Sequence, residues 1–221
     1  VAGAFGAGIM SGAFFGMGPI FGRALELSVF HISLLMGSAV LGGLVLQYPA
    51  GWLSDRFDRR TVLSFVLLVA LLVCAGAYAW SVLGGGGLTP LLILIALYGG
   101  AATTIYPISV SHAFDFVARE RMIEASSGLL LAWSLGATIG PLAASAAMGR
   151  LGAASLFLVL GLVAALLGLF TRYRMSRRAG KPPEEQAKFV PLPAAGAASQ
   201  QLDPRTQADA EIVDRDGNQD L

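Results

Sequence analysis

Charge is what this sequence has least of. Only 13% of its 221 residues are Asp, Glu, Lys or Arg, against 55% that are hydrophobic. None of those charges falls between Leu27 and Ser54, and none between Thr61 and Phe114. A soluble domain does not string out that much uncharged chain, because its helices need a polar outer face. With a mean hydropathy of +0.68, the chain falls in the membrane class. Cysteine is nearly absent as well. The one thiol, Cys74, sits in an apolar run, can form no internal disulfide and has no metal-ligating residues near it in sequence. A phosphate-binding glycine loop, a zinc spacing and a dinucleotide fingerprint are all missing, so no metal, cofactor or nucleic acid is expected. The chain opens on Val1 inside an apolar run, with no basic stretch before it and no small-residue cleavage site after it, so this run is not expected to be a secretory signal. That opening reads as a piece of a longer polypeptide with an amino-terminal part missing.

What is present is a set of six long apolar stretches. A spanning helix needs about 20 mostly apolar residues, and the candidates run approximately Ala2–Gly22, Ile32–Gly51, Val62–Leu83, Leu91–Val110, Ile123–Ala143 and Ala153–Thr171. The expected fold is therefore an all-α membrane protein of six transmembrane helices over residues 1–175, with the lipid bilayer as its surroundings. Arginine in the short turns sets the orientation. Arg56, Arg59 and Arg60 follow the second span, Arg119 and Arg121 the fourth, and Arg172, Arg174, Arg177, Arg178 and Lys181 the sixth; the opposite turns hold only Arg23 and Arg150. The richer side is the cytoplasm, so both ends of the chain are expected there, in a bacterial inner (plasma) membrane. The Gly84–Gly87 loop is then exterior, and Pro90 suits the first turn of the fourth span. Residues 176–221 turn polar and rich in Pro, Ala, Gln, Asp and Glu, which reads as a disordered cytoplasmic tail.

Glycine marks the packing. Gly8, Gly12 and Gly16 fall four apart and form one stripe on the first span; Ser38 with Gly42 and Ala39 with Gly43 repeat the device on the second; Gly128, Gly136 and Gly140 do so on the fifth. Small residues let backbones approach where apolar burial supplies no drive. The first, second, fourth and fifth spans are thus expected to be inner helices, and the Leu- and Val-rich third and sixth to be peripheral.

The turn Gly51-Trp52-Leu53-Ser54-Asp55-Arg56-Phe57-Asp58-Arg59-Arg60 resembles the loop motif of the major facilitator superfamily, roughly G-x-L-[AS]-D-R-x-G-R-[RK]. Gly51, Leu53, Asp55, Arg56, Arg59 and Arg60 match it, and Asp58 stands where the motif has glycine. Six spans with both ends cytoplasmic also resemble one half of that fold, here the carboxy-terminal half of a major-facilitator-type bundle. Gly136-Ala137-Thr138-Ile139-Gly140-Pro141 is similar to the G-x-x-x-G-P element of antiporter branches, and Tyr106-Pro107 followed by His112 is similar to the fourth-span end of sugar- and drug-transporter-like members. The resemblance implies a secondary transporter of small solutes, with a second six-helix half as partner and a small-molecule substrate. It also implies a latch role for the turn, with Gly51, Asp55, Arg56, Arg59 and Arg60 gating one side.

The remaining chemistry is modest. His112 and Asp115 lie three apart and Glu124 follows nearby, a group that could carry protons; pairing of these carboxylates with Arg119 or Arg121 at the membrane interface is the structural alternative. No acidic or basic residue falls at mid-span, so cavity contacts are expected from Gln47, Thr103, Thr104, Tyr106, Ser127 and Trp133 through hydrogen bonds and aromatic packing. Two rival classes stand beside the carrier: a non-transporting scaffold or receptor of the same fold, and an intramembrane serine protease. The second needs a serine in a G-x-S-G setting with a later histidine, whereas Ala125-Ser126-Ser127-Gly128 lacks the first glycine and both histidines precede it.

Overall fold

A computed structural model describes residues 1–177 apart from 85, 116, 119 and 120; Arg119, Arg178, Lys181 and the rest of the tail lie outside the described residues. Within them the chain forms six helices: α1 (Ala2–Ala24), α2 (Val29–Arg56), α3 (Arg59–Val82), α4 (Leu88–Phe114), α5 (Met122–Leu151) and α6 (Ser155–Arg177). Each is long and apolar enough to span a bilayer. The all-α, six-span reading holds, and the helices overrun the apolar stretches that announced them. α5 passes straight through Pro141 and continues to Leu151, giving 30 residues, or about 45 Å at 1.5 Å per residue. The polar end groups of such a helix stand beyond the hydrocarbon.

Local chemistry explains the joints. Ser28 caps α2 by accepting from the His31 amide. Gly84 and Gly87 take φ of 70° and 78° in the α3–α4 turn, and Gly152 takes 84° where α5 stops; these left-handed backbones are what glycine permits at little cost. Pro90 does fall in the first turn of α4, two residues after Leu88.

The helices pack most closely as α1 with α5, α2 with α4, and α3 with α6, with α4 also lying on α3. The glycine stripe on α1 makes the first seam. A Cβ on Gly8 would collide with the Trp133 carbonyl, one on Gly12 with the Ala137 carbonyl, and one on Gly16 would press on the Pro141 ring. The fit is reciprocal, because Gly136 lies against the backbone of Phe5 and Ile9, and Gly140 against Ile9 and Ala13. Pro141 has no N–H to offer the Ala137 carbonyl four residues back, so the oxygen it leaves facing outward is the one that meets Gly12. The α2–α4 seam works the same way: Gly42 rests on the Ala96 carbonyl and Gly99 on the Ala39 carbonyl. Gly128 meets nothing within 4 Å and belongs to neither seam.

Two side-chain contacts tie the pairs together. The Tyr98 hydroxyl donates to the Met10 carbonyl at 3.0 Å, fully buried between α4 and α1. Phe21 and Phe157 meet edge to face at 4.9 Å between α1 and α6.

Within this chain alone, burial ranks the helices in another order than the composition. α4 and α1 are the most buried, as expected for inner helices, but α2 and α5 are the least buried, below α3 and α6. Leu and Val on α3 and α6 face each other as well as outward, so their richness does not mark an outer position. On α2 the exposed side carries Leu41, Leu44, Val45 and Tyr48, and on α5 Leu131, Leu135, Ile139 and Leu142. Both are single helical faces, spaced i, i+3, i+4, i+7 on α2 and i, i+4, i+8, i+11 on α5.

Candidate functional site

The arginine-rich turn is the best-defined polar assembly in the chain. α2 ends at Arg56, Phe57 is its extended C-cap, and α3 starts at Arg59, so the motif is a tight corner with charges on both arms. Asp58 explains how the corner closes without the family's glycine. Its carboxylate accepts from the Arg60 amide at 2.8 Å, and its carbonyl takes the Thr61 and Val62 amides, which makes it the N-cap of α3. A short acidic residue at that position satisfies an otherwise orphaned N–H and favours the positive end of the helix.

The corner sorts its charges. Asp55 and Arg56 are exposed, with the Arg56 guanidinium stacked 4.1 Å over the Trp52 ring. Gly51 is buried, as are Arg59 and Arg60, at 1% and 9% exposure. Arg59 reaches across to Asp115, the C-cap of α4. Its Nη1 donates to both carboxylate oxygens at 3.1 Å, with the two side chains 1% and 2% exposed. This pair locks the start of α3 to the end of α4 through 56 residues of sequence separation. Sequence offered Asp115 either a proton-carrying role beside His112 or a partner at Arg119 or Arg121; the structure gives it Arg59.

Of the three proton-linked candidates, His112 and Asp115 both stand beside Arg59 at the end of α4, and Glu124 lies on α5. His112 lines a cavity with Arg59 and Arg60, Asp115 faces Arg59, and Glu124 is exposed in the first turn of α5. Among the described residues no group of three His, Cys, Asp or Glu is placed to hold a metal ion.

The cavity-lining candidates also divide. Thr103 turns its hydroxyl to the Gly99 carbonyl at 2.8 Å, Thr104 to Ala101 at 2.8 Å and Ser127 to Ile123 at 3.0 Å, each within its own helix. They present methyl and methylene groups more than hydrogen bonds. Tyr106 and half-buried Trp133 are brought together across α4 and α5, ring centroids 6.3 Å apart and edge to face. Gln47 is half-buried on α2. Tyr98 escaped the sequence reading; a tyrosine deep in an otherwise apolar span, needing a partner for its hydroxyl, was the available signal.

A family model described as Major Facilitator Superfamily matches residues 1–206: the chain belongs to that superfamily. Among curated proteins it is 28% identical over 176 residues to an uncharacterised MFS-type transporter of Enterobacter sp. (strain 638), covering 80% of this chain and 43% of that one. It is likewise 28% identical over 157 residues to one from Yersinia enterocolitica, covering 71% and 39%. The chain thus spans about two-fifths of the length of these relatives. Among solved structures, the POT family transporter PepTSo superposes with a TM-score of 0.62 at 19% identity, covering 82% of this chain and 38% of that one. An auto-inhibited POT family peptide transporter gives 0.60 at 17%, covering 88% and 38%. These likenesses establish the fold, an integral membrane bundle of a transporter family and not an enzyme. Ser126 and Ser127, the serines of the protease alternative, both spend their hydroxyls on carbonyls of their own helix.

Proposed function

We propose that this chain forms the carboxy-terminal six-helix half of a secondary carrier that moves a small solute by alternating access in a bacterial inner membrane. The observation that carries the reading is the pairing of the least buried helices, α2 and α5, with exposed apolar faces and an exposed acidic end at Asp55. A second bundle of similar size laid against those faces supplies the other wall of a midplane site. The corner at 51–60 then lies on the cytoplasmic side. Asp55 and Arg56 form the side of the latch that meets the second bundle, while Gly51, Arg59 and Arg60 hold the latch to its own bundle. Gln47, Tyr106 and Trp133 are the side chains offered to substrate, with Thr103, Thr104 and Ser127 shaping the wall. Proton coupling through His112 or Glu124 is compatible with this arrangement, whereas Asp115 must first leave Arg59.

The test is accessibility labelling in the intact protein. Cys74 is buried, so single cysteines placed at Gln47, Tyr106 and Leu135 report on a silent background. Labelling from the cytoplasmic side that rises for Gln47→Cys and Tyr106→Cys when Asp55→Asn is added supports the moving latch. Protection of those two positions in every condition, together with lipid-like labelling at Leu135→Cys, argues for a non-transporting bundle of the same fold.

A further inference from the structure

We propose that the solute is an uncharged aromatic or heteroaromatic molecule with a hydrogen-bonding group, held against this bundle in the corner between Tyr106 and Trp133. The inference rests on the carrier reading above and names the substrate class of that same site. Helix geometry sets the lining. On α4, Thr103 lies against Gly43 of α2, and Tyr98 donates to Met10 of α1. At 3.6 residues per turn Tyr106 points between those two neighbours, into the space where Trp133 of α5 meets it. Gln47 is one turn beyond Gly43, as Tyr106 is about one turn beyond Thr103. The second and fourth of six consecutive spans run the same way, so the amide stands at the depth of the two rings.

Ions and polyols fit this wall poorly. Residues 2–22 of α1, 32–54 of α2, 88–111 of α4 and 125–149 of α5 contain no Asp, Glu, Lys, Arg or His. A charged group laid against them is desolvated with no opposite charge to offset the cost. The hydroxyls are spent as well. Thr103, Thr104, Ser126, Ser127 and Thr138 each donate to a carbonyl of their own helix, so a polyol finds few partners among them.

Three polar groups stay open. Among the described residues no hydrogen bond engages the Tyr106 hydroxyl, the Trp133 indole N–H or the Gln47 amide, and none of those atoms is sealed from solvent. The Tyr106 and Trp133 rings stand 6.3 Å apart with their planes 65° from parallel. A third ring laid over one of them turns its edge to the other, and both contacts are geometries that aromatic rings favour. The indole only donates, the phenol donates or accepts, and the amide does both. The ring that fits therefore carries an acceptor, such as an amide, a carbonyl or a ring nitrogen.

The experiment uses the intact protein with Gln47→Cys as its reactive thiol and three probes of one size. Benzamide is aromatic and uncharged, cyclohexanecarboxamide is its saturated counterpart, and benzoate is its charged one. The cysteine removes one hydrogen bond but leaves both rings, on which the selectivity rests. Benzamide should slow thiol labelling saturably, with the other two needing about fivefold higher concentration or more. Tyr106→Phe should keep that protection, and Tyr106→Leu should weaken it about fivefold. Protection by none of the probes, or equal protection by the saturated amide or by benzoate, overturns the proposal, and this comparison needs no variant at Tyr106. The response of the same cysteine to Asp55→Asn separates the two readings. With that response present and selective protection absent, the carrier stands and the aromatic substrate falls; loss of the response itself counts against the carrier.

Discussion

Replacing Gly136 with alanine tests the α1–α5 seam directly. The new Cβ would lie on the Phe5 carbonyl oxygen and beside the Ile9 amide nitrogen. Both are backbone atoms in the first half of α1, so no rotamer change gives way and the two helices must part along the seam. Separation by about 1 Å forfeits a quarter to a half of the dispersion well at each contact, and overpacking of this kind costs about 1–3 kcal/mol. Gly128→Ala is the control in the same helix. It meets nothing within 4 Å, and relief of the glycine penalty makes it neutral or up to about 1 kcal/mol stabilising. The same propensity gain enters both variants and cancels, so the expected gap between them is about 1–3 kcal/mol. It is read by equilibrium unfolding in mixed micelles, followed by the fluorescence of Trp133, whose carbonyl sits in the seam against Gly8. Combining Gly136→Ala with Gly140→Ala should cost less than the sum, because helices already parted make room for the second methyl. Gly42→Ala, in the α2–α4 seam, should add within about 0.5 kcal/mol. Equal stability of Gly136→Ala and Gly128→Ala would refute the close-approach account.

The other predictions concern the polar joints. Arg59→Gln and Asp115→Asn should each destabilise by about 3–5 kcal/mol, since each strands a buried charge, and the double variant should cost clearly less than their sum; a double-mutant cycle with zero coupling would dismiss the pair. Asp58→Ala should cost about 0.5–2 kcal/mol through loss of the α3 cap, and Asp58→Gly only a few tenths, which thermal unfolding of the three proteins resolves. Tyr98→Phe removes the bond to Met10 and should cost about 0.5–1.5 kcal/mol, with no change in helix content by circular dichroism.

How much of this was legible in the sequence depends on the range of the forces involved. The six spans were readable because lipid imposes one length and one composition on every crossing helix. The true ends were not. Residues 144–151 of α5 are Ala- and Gly-rich and close on Arg150, which lowers their apolar signal without breaking the helix. The seams on α1 and α2 could be read from four-residue spacing, because a glycine stripe has a direct steric meaning. Gly128 shares the composition but not the seam, since spacing along one helix says nothing of where a neighbour lies. Burial within this chain was not legible for a physical reason: lipid and protein are equally apolar, so Leu-rich faces on α3 and α6 carry no mark of which one they meet. The Arg59–Asp115 pair was hidden too. Each residue had a nearer charge in sequence, and only the packing of α3 on α4 selects between them.

The division of charge within the corner has a mechanical consequence. A buried, paired charge resists separation because breaking the pair leaves an ion in a poor dielectric, whereas an exposed charge makes and loses partners at small cost. Arg59, held to Asp115 at 1% exposure, belongs to the first kind; Asp55 and Arg56 belong to the second. A corner built this way is rigid toward α4 and permissive toward whatever covers the outer face of α2. If the carrier reading holds, the moving contact runs through Asp55 and the fixed one through Arg59. Neutralising Asp55 should then alter which side the cavity faces while costing the bundle no more than an exposed ion pair, about 0–1 kcal/mol, and neutralising Asp115 should shift the unfolding curve first.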